Sequence, residues 1–552
     1  MHSKCLLLVV TLTSGVLHLT EAVCIPDNIL FGVGSASYQI EGAWNYGDKS
    51  ESIWDDLTHN YPELVSAEAN GDVAADSFNK INEDVAQLQS IGVHFYQFSL
   101  SWSRLLPEGY SNNVSAVGLQ YYNDLIDALV AADIIPMVVL YHWDLPTILQ
   151  KLGGWTNPEL IDIYTDYARV AFENFGDRVK YWITFSSPSE VCKAYGADNR
   201  APAGVSSSQT GIGEYLCANT ILKAHARTYH LYNDTYRPDQ NGTIGIALFA
   251  NWYEPDTISS VDIIAAIRAL HFEIGLYANP IFTSAGDYPT MVKDTIRRRS
   301  AAEGFPYSRL PELTAQEIEY IKFTSDFFGV NHYTTYMAAD RQMYSSDPEY
   351  FLDLEVTYWQ PQLDWEDTAV DWVKVVPWGF RRLLVWLQRE YNYGPTFYIT
   401  ENGYPDYGEV DDDLRISYIQ RQVSALQDAI ADGVSVGAYT YWNFLDGFEW
   451  LEGYNVTYGM VSVNMTDPNR SRTLKSSARY YRDLIRSRSV EPDQNCNFTS
   501  VPTTPPPTDN PDESTTSAPP SGLASTFAMP HNLGVMLSIS TVTMVLFSLI
   551  RS

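Results

Sequence analysis

Basic residues are scarce in this chain. Its 552 residues include 35 Lys and Arg against 67 Asp and Glu, which gives a formal net charge of −32 at pH 7. We therefore expect neither nucleic acids nor anionic membrane surfaces as partners, because both attract positive charge. Cysteine is scarce as well, with 5 residues, and a chain of this length buries a large core without disulfides. The acidic balance is typical of a soluble secreted protein.

The N-terminal residues predict a signal peptide. Within residues 1–22, Lys4 precedes an apolar run, Cys5–Leu19, and small residues occupy the cleavage positions in Thr20-Glu21-Ala22. The alternative, a membrane anchor, needs a longer apolar stretch than this one, which polar residues interrupt. Seven N-x-[ST] sequons agree with passage through the secretory pathway. The expected glycosylation sites are Asn113, Asn233, Asn241, Asn455, Asn464, Asn469 and Asn497.

Four cysteines remain after cleavage at Ala22: Cys24, Cys192, Cys217 and Cys496. In an oxidising compartment, four cysteines allow three pairings. We favour Cys192–Cys217, which share one local region, together with Cys24–Cys496, which join the two ends of the domain. The other two pairings stay open at the level of the sequence.

The C-terminal residues carry a second targeting signal. Residues 497–530 are rich in Pro, Ser and Thr, a composition that cannot bury apolar area and predicts an extended stalk. Residues 531–552 contain a largely apolar tail, Gly534–Ile550, with a polar spacer and small residues upstream. That order predicts a glycosylphosphatidylinositol (GPI) attachment signal. The alternative is a spanning helix, for which the tail is barely long enough; both place the protein at the extracellular face of the plasma membrane.

Between these ends, in residues 23–496, short apolar runs alternate with longer amphipathic segments. The runs are Leu30–Ser35, Phe95–Leu100, Ile134–Tyr141, Lys180–Phe185, Thr243–Phe249, Phe327–Val330, Thr396–Thr400 and Val436–Tyr441. Apolar residues recur at helical spacing between them, as in Gly118–Ala131 and Asn157–Phe175. This alternation predicts an α/β fold with a parallel sheet, and eight strands fit a (β/α)8 TIM barrel. In such barrels the chemistry is done by residues that follow the strand ends.

Two segments at predicted strand ends resemble the catalytic motifs of the family 1 glycoside hydrolases, which include β-glucosidases and myrosinases. The first, I-T-E-N-G, implies that Glu401 is the nucleophile. The second, T-F-S-S-P (Thr184–Pro188), is similar to the family's T-[FIL]-N-E-P, whose Glu is the proton donor. Retaining glycosidases use two such carboxyl groups about 5 Å apart. The resemblance places Ser187 at the acid/base position and Ser186 at that of an Asn that donates to the sugar 2-hydroxyl.

Two more motifs concern the neighbours of Glu401. Asn331-His332-Tyr333-Thr334 is similar to the family's N-x-Y-T, which implies that Tyr333 borders the nucleophile and that Asn331 lies in the sugar site. Y-Q-F-S-L-S-W is similar to Y-R-F-S-x-S-W, but Gln97 stands where the family has Arg. A guanidinium beside a carboxylate favours its ionised form, so we expect the pKa of Glu401 to be raised.

The motifs for sugar contact are retained. The segments S-A-S-Y-Q-I-E-G-A-W, L-Y-H-W-D-L-P and Y-W-N-F-L-D-G-F-E-W imply six sugar-binding residues: Gln39, His142, Trp143, Trp442, Glu449 and Trp450. A pyranose offers an apolar C–H face to aromatic rings and a rim of hydroxyls to polar groups. The resembled family needs no cofactor, and the sequence contains no metal-ligand cluster, no Ser-His-Asp arrangement and no complete dinucleotide motif around Gly32-x-Gly34. The expected ligand is a small sugar or glycoside, with no cofactor and no metal.

Three functional hypotheses follow from the altered motif. A serine hydroxyl is far too weak an acid to protonate a glycosidic oxygen, and general acid–base catalysis contributes about 10²–10⁴-fold. The first hypothesis is a β-glycosidase that acts through Glu401 on activated leaving groups, as myrosinases with Gln at the acid/base position do on thioglucosides. The second is a catalytically inactive glycan-binding or receptor-like surface protein, and the third is a barrel repurposed for non-hydrolytic chemistry. Glu190 is a candidate for a substitute acid; nothing in the sequence indicates an oligomeric state.

Overall fold

Eight parallel strands close into a barrel, which confirms the predicted (β/α)8 architecture. In chain order they are Leu30–Ser35, Phe95–Ser99, Ile135–Tyr141, Tyr181–Ser186, Thr243–Phe249, Phe327–Asn331, Thr396–Asn402 and Val436–Trp442. Each strand pairs with the preceding and following one, and the first pairs with the eighth. The computed structural model describes residues 24–196, 200–341, 348–361, 365–392 and 394–492. The predicted signal peptide, stalk and tail, and also Cys496 and Asn497, lie outside these ranges.

Helices connect successive strands and cover the outside of the barrel. Their bounds are Ser37–Ile40, Ile53–Asn60, Ile81–Ile91, Trp102–Leu105, Ala116–Ala131, Thr147–Gln150, Leu160–Phe175, Pro188–Lys193, Gly213–Leu231, Arg237–Gln240, Ser260–Leu270, Leu276–Phe282, Thr290–Ala302, Ala315–Ile321, Tyr350–Asp353, Pro377–Glu390, Asp413–Ala431 and Ser476–Ser487. Two π-helical segments, Tyr232–Tyr236 and His271–Gly275, continue the preceding helices. In the described part of the chain, no helix is both long and apolar enough to cross a membrane.

Two small sheets are added to the barrel. Trp252–Pro255, Thr335–Asp340 and Val356–Trp359 form one, and the antiparallel pair Val461–Val463 and Arg472–Leu474 forms the other. Apolar side chains fill the barrel interior: Phe95, Met137, Val139, Ile183, Ala247, Phe327 and Ala438. The interior is therefore a packed core, as is usual for this fold, and a ligand site belongs at the strand ends.

The predicted strands differ from the observed ones by one or two residues at their ends. Four of them continue past the predicted end, to Ser186, Asn331, Asn402 and Trp442. These polar or aromatic residues still pair with a neighbouring strand, but the pairs Ser186–Ala247 and Glu401–Asn331 each follow a shift of register in the ladder. The prediction stopped these four strands too early, whereas their backbone pairing extends into the candidate site residues.

Both predicted helices are present with different starts. The first begins at Ala116 rather than Gly118, because the Ser115 hydroxyl accepts a hydrogen bond from the Gly118 amide and caps the helix. The second begins at Leu160 rather than Asn157, and the Asn157 side chain accepts from the Glu159 amide before the helix starts. In both cases local side-chain hydrogen bonds determine the boundary.

The predicted disulfide Cys192–Cys217 is present. It joins helix Pro188–Lys193 to helix Gly213–Leu231, and both cysteines are buried. The second predicted pair, Cys24–Cys496, includes a residue outside the described ranges and stays a prediction. Of the six sequons within those ranges, Asn233 is partly exposed and the other five are exposed. Exposure permits glycosylation but does not test it.

Candidate functional site

The ends of several barrel strands bring the predicted site residues together. Glu401 and Ser186 lie within hydrogen-bonding distance although they are 215 residues apart in sequence. Tyr333, His142 and Asn331 belong to the same group of contacts. The site is thus built from the ends of the third, fourth, sixth and seventh strands and the loops that follow them.

Glu401 is buried and held by two hydroxyl groups. The Ser186 hydroxyl donates to Oε1 at 2.9 Å, and the Tyr333 hydroxyl donates to Oε2 at 2.9 Å. His142 Nε2 lies 3.8 Å from Oε1. Burial raises the pKa of Glu401 to about 7, and the hydrogen bonds from Tyr333 and Ser186 oppose that rise. At neutral pH the side chain therefore exists both as carboxyl and as carboxylate.

Gln97 does not replace the charge of an arginine. Its side-chain amide donates to the Thr400 carbonyl at 3.1 Å, and its Oε1 is buried without a partner among the described residues. The pKa of Glu401 is raised in the direction expected from the sequence, and desolvation is the main cause. The strand that carries Gln97 thus contributes an amide, which cannot stabilise an ionised neighbour as a guanidinium does.

Ser186 and Ser187 share one amide donor. Asn331 Nδ2 donates to Ser187 Oγ at 2.8 Å and to Ser186 Oγ at 3.1 Å. The Thr400 hydroxyl donates to Asn331 Oδ1 at 2.6 Å and so fixes the orientation of this amide. Ser187 has a φ of 50° at the junction between its strand and helix Pro188–Lys193, a left-handed conformation that costs energy for a non-glycine residue.

Glu190 is committed to other partners. It forms ion pairs with Lys193 at 2.5 Å and with Arg200 at 2.7 Å. These two cations outweigh its burial and hold the pKa of Glu190 at about 2. A carboxyl group this acidic is ionised at neutral pH, so Glu190 cannot serve as the substitute proton donor that the sequence allowed.

Besides Gln97 Oε1, three further buried polar atoms at the strand ends lack hydrogen-bond partners among the described residues. They are Gln39 Oε1, His142 Nδ1 and Glu449 Oε1. Gln39 and Glu449 are joined by a hydrogen bond from Nε2 to Oε2 at 2.8 Å. Burial lowers the pKa of His142 to about 3 and raises that of Glu449 to about 8, with a contribution from Asp446. Both side chains are thus mainly uncharged at pH 7 and suited to a neutral polyhydroxylated ligand.

Aromatic rings surround these polar atoms. The ring of His142 lies 5.4 Å from that of Trp442 and 6.0 Å from that of Trp450, and Trp143 lies 4.7 Å from Trp450. Trp143 also donates through Nε1 to the Ser186 carbonyl at 3.1 Å. Trp143 and Trp450 both have positive φ values, 74° and 53°. Four of the predicted sugar-contact residues, His142, Trp143, Trp442 and Trp450, therefore form one aromatic group, in contact with the strand that ends at Ser186.

Sequence reasoning missed two neighbours of this group. Thr400 orients Asn331, and its place directly before Glu401 was an available signal. Trp372 lies with its ring 5.7 Å from that of Tyr333 and is 42% exposed. Nothing in the local pattern marks Trp372, because it comes from a loop that only the folded chain brings to Tyr333. In the described part, no group of three or more His, Cys, Asp and Glu side chains could hold a metal ion.

Comparisons with known proteins identify the family and agree with the barrel fold. The family model described as Glycosyl hydrolase family 1 matches residues 22–490. Myrosinase 1 of Brevicoryne brassicae is 41% identical over 466 residues, which cover 83% of this chain and 98% of that protein. The lactase-like protein of Homo sapiens is 43% identical over 468 residues, 83% of this chain and 81% of that protein. The solved structure of aphid myrosinase matches with a TM-score of 0.80 at 40% identity, over 84% of this chain and 100% of that one.

Proposed function

Because the chain belongs to glycosyl hydrolase family 1, we propose that it binds a β-glycoside at the carboxyl end of the barrel but cannot protonate the departing oxygen of an ordinary one. Turnover is then limited to glycosides whose leaving group departs unprotonated, with Glu401 as the nucleophile. The supporting observation is that polar atoms free to bind a sugar and the altered catalytic motif lie together at the strand ends. Polar atoms of Gln39, His142 and Glu449 without partners among the described residues remain for a sugar, while the motif resemblance assigns Ser187 to the position of the proton donor.

The retained residues suit glycoside binding. A buried polar atom without a partner costs free energy, so a ligand hydroxyl that reaches Gln39, His142 or Glu449 recovers a hydrogen bond. The tryptophan rings beside them offer faces for the apolar side of a pyranose. All three polar side chains are uncharged or mainly uncharged at pH 7, which favours a neutral sugar over a charged one.

The missing acid limits the reaction. Ser187 accepts a hydrogen bond from Asn331, and a hydroxyl is too weak an acid to assist C–O cleavage. Glu190 is held ionised by Lys193 and Arg200. Glu401 can still attack an anomeric carbon in its carboxylate form, provided that the leaving group is stable as an anion. A dinitrophenolate and a thiolate aglycone meet this condition, whereas an alkoxide does not.

A mechanism-based label tests the proposal. The 2,4-dinitrophenyl 2-fluoro-β-glucoside should form a glycosyl ester on Glu401, detected as a mass shift on the peptide that contains this residue. The Glu401→Gln variant is the matched control and should give no shift. The rate of labelling should rise with pH through about 7, because only the carboxylate attacks. Labelling of another residue would contradict the assignment of the nucleophile.

A second candidate is non-hydrolytic glycan binding at a cell surface. It is favoured by the raised pKa of Glu401 and by the contact of Gln97 with the Thr400 carbonyl, which together leave the nucleophile without a compensating cation in the described part of the chain. The predicted stalk and lipid anchor agree with a protein that presents its pocket outward. Measurable glucose affinity by calorimetry without any labelling of Glu401 would support this candidate. Rapid hydrolysis of a simple alkyl β-glucoside would contradict both.

A further inference from the structure

The contact between Ser186 and Glu401 has the geometry of an activated nucleophile. Nucleophilic serines are recognised by a hydrogen bond of about 2.6–3.2 Å to a base that a third group orients. Ser186 Oγ donates to Glu401 Oε1 at 2.9 Å. The third group is Tyr333, whose hydroxyl donates to the other carboxylate oxygen at 2.9 Å. Glu401 is thereby fixed with one oxygen directed at the serine hydroxyl.

The base has the strength that this role requires. An efficient general base has a pKa close to the working pH, and histidine usually supplies this value. Burial raises the pKa of Glu401 to about 7, which gives a carboxylate the basicity of an imidazole. Both side chains are buried, with residue exposures of 1% for Ser186 and 6% for Glu401. Water therefore competes weakly for the hydrogen bond between them.

One amide group and a second hydroxyl group lie next to Ser186 and would be the nearest donors to an ester carbonyl bound there. Asn331 Nδ2 is directed at both serine hydroxyls, and Thr400 fixes the amide from behind. The Ser187 hydroxyl lies beside the Ser186 hydroxyl, because both accept a hydrogen bond from Asn331 Nδ2. Polar groups fixed in advance near a reacting carbonyl stabilise the oxyanion of acyl transfer.

We propose that Ser186 is a nucleophile, activated by Glu401, that removes acyl groups from O-acylated saccharides. The assignment of the acyl-transfer centre goes beyond glycoside chemistry, whereas the choice of a saccharide ester rests on the proposed sugar binding by Gln39, His142 and Glu449. A carboxylic ester of a sugar hydroxyl presents a carbonyl carbon to Ser186 while its sugar occupies those contacts.

The reaction consists of two balanced steps. Ser186 Oγ bonds to the acyl carbon, its proton passes to Glu401, and the bond from the acyl carbon to the sugar oxygen breaks as that oxygen takes the proton. Water then attacks the acyl-serine and gives a proton to Glu401, which returns it to Ser186 Oγ as the carboxylic acid leaves. The sum is ester plus water to sugar plus acid, without an oxidant, reductant or cofactor.

The test uses a small alkyl fluorophosphonate on the purified full chain, because this probe needs no sugar contact. It should form a covalent adduct on Ser186, located by peptide mass spectrometry, at a rate that rises with pH through about 7. Ser186→Ala should abolish the adduct. Glu401→Gln should slow its formation at least 100-fold, since general base catalysis contributes about 10²–10⁴-fold. Ser189→Ala is the matched control and should react like the wild type, because the buried Ser189 hydroxyl has no partner in the described part of the chain.

A second measurement addresses the substrate. The rate of acetate release from an O-acetyl glucoside should be similar in the wild type and Ser189→Ala, at least 100-fold lower in Glu401→Gln and absent in Ser186→Ala. Thermal unfolding should verify that each variant is folded. No adduct in the wild type, an adduct on another residue, or equal rates in the wild type and Glu401→Gln would overturn the proposal. The fluoroglucoside label reports on Glu401 and the fluorophosphonate on Ser186, so failure of one proposal is distinguishable from failure of the other.

Discussion

At the residue scale, the site combines an intact carboxyl group with an altered environment. Glu401 keeps the hydrogen bond from Tyr333 and gains one from Ser186. Ser187, which shares the donor Asn331 with Ser186, has neither the length nor the acidity of a carboxylic acid. In the proposed function, Glu401 still attacks while the leaving group receives no proton. The two predictions at this scale concern proton delivery at position 187 and the ionisation of Glu401.

The first prediction concerns proton delivery. Ser187→Glu should raise kcat/KM for an alkyl β-glucoside by about 100-fold, because it supplies an acid next to the leaving oxygen. The rate with a 2,4-dinitrophenyl glucoside should change little, since that leaving group needs no proton. Steady-state kinetics with both substrates measure the difference.

Ser187→Gln is the matched control for this prediction. Its side chain has the length of glutamate but no acidic proton, so it should leave the alkyl glucoside as poor a substrate as the wild type does. Equal gains with Glu and Gln at this position would show that a change of shape, rather than an acid, limits the reaction.

The second prediction concerns pH and stability. Burial raises the pKa of Glu401 in the folded state to about 7, from its ordinary value of 4.5. The folded state therefore binds more protons than the unfolded state between these values, and stability falls as the pH rises through this window. The loss amounts to about 3 kcal/mol above pH 7. Glu401→Gln cannot ionise, so its stability relative to the wild type should increase by that order between pH 4 and pH 8.

Denaturant unfolding of both proteins at the two pH values provides the measurement. Glu63→Gln, at an exposed position, is the control and should show no comparable pH-dependent difference. If the free energies of unfolding of the wild type and Glu401→Gln differ by the same amount at pH 4 and pH 8, burial does not raise the pKa of the Glu401 carboxyl group.

At the scale of elements, the loop after the fourth strand determines what lies beside the site. Helix Pro188–Lys193 begins directly after Ser187, and its Glu190 and Lys193 form an ion pair within the helix. The disulfide Cys192–Cys217 ties this helix to Gly213–Leu231, whose packing partners include helix Leu160–Phe175. The position of Ser187 thus depends on a short helix that is covalently attached to a long one.

The third prediction tests this attachment. The two cysteines are 25 residues apart, and closing a loop of that length stabilises the folded state by about 3 kcal/mol through the entropy of the unfolded chain. Replacing both cysteines by alanine should lower the free energy of unfolding by that order. Alanine avoids the burial of an unpaired hydroxyl at these buried positions.

Reduction of the wild type should produce a loss similar to that of the double variant. Reduction of the double variant should lower its stability by clearly less, since it lacks this bond. An unchanged free energy of unfolding in the double variant would show that packing alone holds the short helix in place.

At the scale of the whole molecule, charge and targeting signals agree. The net charge of −32 is spread over a large chain and favours solubility outside the cell. The apolar tail Gly534–Ile550 contains several hydroxyl residues, and a chain cut by the attachment machinery would lose it. A lipid anchor would then hold the barrel at the cell surface.

The fourth prediction concerns this anchor. Phosphatidylinositol-specific phospholipase C should release the full-length protein from the surface of expressing cells, because it cleaves a glycosylphosphatidylinositol anchor. A chain truncated after residue 530 is the control and should appear in the medium without treatment. Retention of the full-length protein after treatment would instead indicate a spanning tail. Immunoblots of medium and cells measure both outcomes.

Much of the fold was predictable because its signals are local. Apolar runs of strand length between amphipathic segments gave all eight barrel strands, with errors confined to their ends. Three predicted strands were one residue too long at one end, and four stopped short of Ser186, Asn331, Asn402 and Trp442, where a polar or aromatic residue continues the backbone ladder. Hydrophobic patterns end with the core, whereas backbone pairing depends on the neighbouring strand.

Most members of the candidate site were also available from sequence, because they lie in short motifs; Trp372, which comes from a loop, was not. The contacts between the members were not. The hydrogen bond between Ser186 and Glu401, the shared donor Asn331 and the ion pairs that remove Glu190 from consideration all depend on distances in the folded chain.

The sequence by itself determined the barrel, the identity of the residues at its strand ends and the absence of a carboxyl group at position 187, because patterns and motifs are properties of neighbouring residues. The tertiary structure alone decided that Ser186 donates to Glu401 and that burial raises the pKa of Glu401 to about 7. The reason is physical: hydrogen bonds and desolvation depend on which groups surround an atom, and here those groups come from strands that are far apart in the chain.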